Sequence, residues 1–153
     1  MKISPFFKTK PFFNAADNER VVQAIREAER QTNGEVRVYI ESKNAYVDAM
    51  DRAAELFYNL KMDKTEQRNA VLLYIAHKDK EVALFGDEGI YKATGSTYWN
   101  EAVKAMLAQF KNENICEGIV QCIHTIGATL KDKFPYEKTS DKNELPDEII
   151  FGK

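Results

Sequence analysis

The chain has 153 residues, 44% of them apolar and 30% charged, and its 22 basic and 24 acidic side chains leave a net charge of -2. That length can bury one real core, so one domain is expected. The charge balance gives no footprint for nucleic acid, and the expected partners include neither nucleic acid nor a membrane.

The opening, "MKISPFFKTKPFF", carries "PFF" twice and reads as an N-terminal arm, residues 1–13, folded over the core or offered to a partner. It lacks a continuous apolar run with a small-residue cleavage site, so no signal peptide is expected. No later stretch reaches the roughly 18 apolar residues of a membrane span. The expected location is cytoplasmic and the expected state a monomer. Residues 14–153 then form a single domain.

From Asn14, a plausible N-cap, to about Gln31, Val21, Val22, Ile25 and Ala28 recur at helical spacing. Asn33-Gly34 ends that helix. "EVRVYIE", Glu35 to Glu41, alternates as a strand does. Residues 46–60 return to helical spacing through Val47, Met50, Ala53, Ala54, Phe57 and Leu60. "AVLLYIA", Ala70 to Ala76, is apolar throughout and suits a central strand covered on both faces. The short turn "HKDK" leads into "EVALF", so these two strands pair as an antiparallel hairpin.

Beyond the stretch "FGDEGIY", read as a glycine-bounded turn, Trp99, Val103, Met106, Leu107 and Phe110 mark a third helix. Ile115, Ile119, Cys122, Ile123, Ile126 and Leu130 mark a fourth. Cys116 and Cys122 fall on different sides of it, which argues for reduced core thiols rather than a disulfide. "EIIF", Glu148 to Phe151, is expected to add a short strand. The fold class is therefore α/β, with about four strands in a mixed sheet and about four helices.

Strand 35–41, helix 46–60 and strand 70–76 make a βαβ unit with a right-handed crossover. The hairpin then brings Asp87 and Glu88 to the sheet end where strand 70–76 begins, beside the loop "KMDKTEQRN", Lys61 to Asn69. Glu35 opens at the same end. Oxygen-bearing Asp63, Thr65, Glu66, Asn69, Asp87, Glu88 and Glu35 are thus the candidate ligands of a hard cation, Ca²⁺ or Mg²⁺, one ion or more. Zinc is disfavoured, because His77 lies at the far strand end and His124 on a helix. The competing reading is that Asp87 and Glu88 cap a turn or pair with Arg68 and Lys64.

No P-loop, G-x-G-x-x-G, H-E-x-x-H or EF-hand loop is present. Ala128 stands where a cysteine phosphatase built on Cys122 would need arginine, and no nucleophile elbow occurs. No catalytic residue is assigned, and any hydrolysis would be metal-assisted attack by water.

"GEVRVYIE", "KTEQRNAVLLYIA", "ALFGDEGIY" and "NELPDEIIFG" together resemble the TPM domain family, the fold of the thylakoid-lumen photosystem II repair protein and of many bacterial proteins. The resemblance runs from about Phe12 to Gly152 and implies an αβα sandwich with a Rossmann-like arrangement. It also implies divalent-cation binding and, from plant members, acid phosphatase activity. Asn69 matches the family's asparagine opening the second strand, and Gly86 and Gly89 match the glycines of the next turn. Asp87-Glu88 departs from the family's aromatic residue between those glycines, which implies a different or additional ion site. Many bacterial members are exported and membrane-anchored; neither feature is expected here, so their envelope roles do not transfer.

The leading expectation is a metal-responsive regulatory or interaction module whose loops 61–69 and 86–91 are ordered by the ion. The alternative is a metal-dependent phosphatase acting on phosphomonoesters, with Arg68 or Lys64 holding the phosphate. A third reading is a plain interaction module for an unidentified protein partner.

Overall fold

The structure, a computed structural model, describes residues 13–44, 48–95, 97–112, 114–137 and 145–152. The expected arm therefore lies outside the described residues except for Phe13, whose ring stands 6.1 Å from that of Phe151.

Helix α1 (Ala15–Glu29) starts at a capping box: the Asn14 side chain accepts from the Asp17 amide, and the Asp17 carboxylate accepts from the Asn14 amide. Strand β1 (Glu35–Glu41) follows, then α2 (Ala49–Asn59), capped by Asp48, and β2 (Ala70–Ala76). Strand β3 (Glu81–Gly86) closes the expected hairpin. Helices α3 (Glu88–Thr94), α4 (Asn100–Lys111) and α5 (Ile115–Lys133) precede the two-residue β4 (Ile150–Phe151).

The sheet order is β3-β2-β1-β4, with β2 and β4 parallel to β1 and β3 antiparallel to β2. So "EIIF" pairs with the domain's own sheet, though only Ile150 and Phe151 take part. Among the described residues there are five helices rather than about four. The additional one is α3, which occupies the place read as a turn.

The two-residue period of the strands sorts the core into two layers. Val36, Val38, Ile40, Val71, Leu73, Ile75 and Leu84 face α1, α4 and α5. Leu72, Tyr74, Ala76 and Ala83 face Ala53, Leu56 and Phe57 of α2. Every residue of β2 is buried, as its unbroken apolar run requires. Phe57 is fully buried and meets Phe85 at 4.8 Å; removing such a ring from water contributes about 2–3 kcal/mol. Among the described residues, no helix is long and apolar enough to cross a membrane.

Candidate functional site

Both loops of interest meet at the sheet end where β1 and β2 begin. The Asp87 amide donates to the Ala70 carbonyl at 3.0 Å and the Glu35 amide to the Asn69 carbonyl at 3.3 Å. The Gly89 amide donates to the Arg68 carbonyl at 2.9 Å, so the start of α3 lies directly on loop 61–69. Glycine is required there for space. A Cβ on Gly89 would stand 2.4 Å from the Gln67 carbonyl oxygen and 2.6 Å from that of Arg68.

Asp87 is the hinge of this contact. Its carboxylate accepts two hydrogen bonds from Arg68, Nε at 2.7 Å and Nη2 at 2.8 Å, and a third from the Glu88 amide at 2.8 Å as the cap of α3. Only 1% of it is exposed. Arg68 adopts a left-handed backbone, φ 52°, which turns its side chain back across the loop, and its Nη1 stands 3.4 Å from exposed Glu88. The two carboxylates are thus joined to an arginine and a helix terminus, the competing arrangement to an ion loop.

Of the other candidates, Asp63 is half-buried with Lys64 Nζ at 3.8 Å, and Glu66 is exposed. Thr65 is buried and its hydroxyl accepts from the Asn69 amide at 3.2 Å. Asn69 is buried as well: its Nδ2 donates to the Asn33 carbonyl at 3.3 Å, while its Oδ1 has no hydrogen-bond partner. A buried amide oxygen left unpaired costs about 1–3 kcal/mol, so this position is incomplete.

Glu35 connects these loops to a feature that sequence reading did not single out. It is buried at the foot of β1, where its Oε1 accepts from the Leu145 amide at 3.2 Å. Beside it opens a cleft of about 500 Å³ lined by Arg26, Glu29, Arg30, Tyr136 and Asp147 among others. Glu29, the last residue of α1, accepts from the Val36 amide at 2.8 Å and shares a hydrogen bond with Asp147. Burial first, then Asp147 and nearby Glu35, push the Glu29 carboxyl up to about 10, so it holds its proton at neutral pH. Asp147 Oδ2 also stands 3.8 Å from Arg26 Nε. Among the described residues, no three acidic, histidine or cysteine side chains form a ready-made metal cage.

The opposite sheet end is already filled. Glu41, at the end of β1, accepts from Arg52 at 2.9 and 3.0 Å and from the Tyr74 hydroxyl. Burial alone would raise the Glu41 carboxyl, but Arg52 and Tyr74 outweigh it and hold it below its ordinary value. The crevice where open α/β sheets usually bind ligands is thus closed by a satisfied network.

A four-stranded mixed sheet between helical layers, with its unsatisfied and protonated polar groups gathered at one end, defines an αβα sandwich domain carrying a carboxyl-lined cleft. The chain belongs to the TPM domain family, whose sequence profile matches residues 7–129. The structure is similar to that of the BA42 protein from the psychrophilic bacterium Bizionia argentinensis, with a TM-score of 0.85 and 40% identity over 95% of this chain and 99% of that one. Two further structures share the fold alone. The N-terminal domain of a Corynebacterium glutamicum protein gives a TM-score of 0.61 at 12% identity, covering 98% and 92% of the two chains. The N-terminal domain of a P. gingivalis protein gives 0.67 at 14% identity, covering 82% of each. No curated protein matches the sequence.

Proposed function

We propose that this domain binds a divalent cation, Ca²⁺ or Mg²⁺, at the sheet end where β1 and β2 begin, and that occupancy orders the loops meeting there. The carrying observation is the cleft: the carboxyls of Glu29, Glu35 and Asp147 line one cavity at this sheet end, and burial pushes the Glu29 carboxyl toward its protonated form, as a site built for a cation would. Glu29, Glu35 and Asp147, which line one cleft with Arg26 and Arg30, would hold the ion. The effect passes to loop 61–69 through Asn69 and on to loop 86–91 through the Arg68–Asp87 pair. Asp87 and Glu88 then act as relay and surface rather than as ligands.

The test is a calcium and magnesium titration of metal-stripped protein, followed by backbone amide NMR. The expected result is saturable binding with joint shifts of Glu35, loop 61–69, loop 86–91 and the residues around Asp147, abolished in Glu29→Gln/Asp147→Asn. Binding unchanged in that double variant would sink the assignment. The phosphatase alternative calls for Arg68 or Lys64 to hold a phosphoryl group, and Arg68 here carries Asp87. Ion-dependent turnover of a generic phosphomonoester, lost in Arg68→Ala, is the result that would favour it.

A further inference from the structure

The cleft beside Glu35 is larger than an ion needs. It encloses about 500 Å³, whereas a divalent ion with about three waters takes up about 100 Å³, each water counting for about 30 Å³. What remains matches the pockets that hold small organic ligands. Its walls are also not those of a cation cage alone. Arg26, in the last turn of α1, and Arg30, the C-cap of that helix, line it together with Tyr136, which is 44% exposed.

The two arginines are not equally free. Arg26 Nε has Asp147 at 3.8 Å, while the exposed Arg30 guanidinium meets no acidic partner among the described residues. The Tyr136 amide bonds the Gln31 carbonyl at 3.3 Å, which holds its backbone beside the end of α1, but its hydroxyl has no hydrogen-bond partner among the described residues. An ion changes the balance of charge here. Glu29, Glu35 and Asp147 are all ionised when they hold a divalent cation, so with both guanidinia the loaded cleft carries an excess of one positive charge. The empty cleft has no such excess, because its ionised carboxylates at least match its arginines.

We propose that the cleft, once loaded at the cation site on which this reading rests, binds a small-molecule monocarboxylate that carries a planar ring. The Arg30 fork receives the carboxylate, whose two oxygens match paired guanidinium donors, and the Tyr136 ring offers its face to the planar body. The excess charge of the loaded state draws the anion in. One excess positive charge and one unpaired guanidinium match one monoanion. A phosphomonoester dianion would reverse the excess and would lack a second free cation.

The probe is benzoate, with benzamide as its uncharged isostere and phenyl phosphate as the doubly charged alternative. Each is titrated by calorimetry into the full chain, first metal-stripped and then in saturating magnesium or calcium. Benzoate should bind the loaded protein about tenfold or more tighter than the stripped one, with saturable shifts of the Tyr136 ring, and by linkage it should raise ion affinity by the same factor. Arg30→Gln, at an exposed position, should weaken benzoate about tenfold while the ion binds at least as tightly, since a positive charge beside it is gone. A merely structural role for Arg30 would weaken both together. Ion binding without benzoate binding up to about 10 mM overturns this proposal and leaves the cation site standing. Equal benzoate affinity with and without the ion, or benzamide binding as well as benzoate, also overturns it. Phenyl phosphate binding tighter than benzoate overturns the carboxylate assignment in favour of a phosphoryl ligand. Failure of both ions to bind removes the cation site and this proposal together.

Discussion

Gly89→Ala should lower the melting temperature of this domain by roughly 4–10 °C, the equivalent of about 2–3 kcal/mol for a chain of this size. The added methyl group would meet backbone, with the Gln67 and Arg68 carbonyl oxygens at 2.4 and 2.6 Å, and backbone cannot step aside as a side chain can. Relief requires α3 to lift from loop 61–69, which breaks the Gly89–Arg68 hydrogen bond and pulls Asp87 from its arginine. Gly86→Ala should destabilise as well, because its methyl would meet Cγ2 and Cβ of buried Ile90 at 2.7 and 2.9 Å, and a β-branched side chain cannot swing both clear. Arg68→Ala should act in the same direction as Gly89→Ala, since it strands a buried carboxylate. Thermal melts of the three variants check the direction, and a Gly89→Ala protein that melts with the wild type would refute the seam as described.

The strands at 35–41 and 70–76 were legible to the residue because each carries its own signal, alternation in one and an unbroken apolar run in the other. Helix α3 was not. Its sequence "EGIYKAT" has glycine at the second position, and Ile90 is its one buried residue, so no stripe announces it. It forms because Asp87 caps it and because Ile90 finds the core. The convergence of loops 61–69 and 86–91 followed from topology alone and holds. What topology could not supply was the partner of Asp87, since only the left-handed turn at Arg68 aims its guanidinium there. Glu29 was harder still. In sequence it is one more charged residue at the end of an amphipathic helix, and it becomes a site only when the tail brings Asp147 beside it. The signal available was local: an acid closely followed by the buried Thr32, Gly34 and Glu35 at a helix-to-strand turn.

Glu29→Gln should stabilise the metal-free protein at neutral pH, an uncommon outcome for a change in a buried polar residue. The native carboxyl titrates at about 10, against an ordinary 4.5, so folding takes up a proton at every pH between those values. A pKa raised on folding contributes stability fully present below 4.5 and lost as pH climbs toward 10. At about 1.4 kcal/mol per pH unit, the loss between pH 4.5 and 7 is roughly 3 kcal/mol. Glutamine keeps the shape of the protonated acid, accepting from the Val36 amide and donating to Asp147, with no proton to lose. Urea melts in chelator at pH 5 and pH 8 separate the two proteins: similar stability at pH 5, and the variant ahead by roughly 4 kcal/mol at pH 8. The other charges facing this position are Arg26, Glu35, Arg37 and Asp147. A wild type that matches the variant at pH 8 would remove the protonated Glu29 from the account. Adding calcium at pH 8 should then stabilise the wild type and leave Glu29→Gln unchanged, because an ion that binds only the folded state adds its binding energy to stability. A chain that keeps the less stable residue at this position is what selection for ion binding, rather than for the apo fold, would produce.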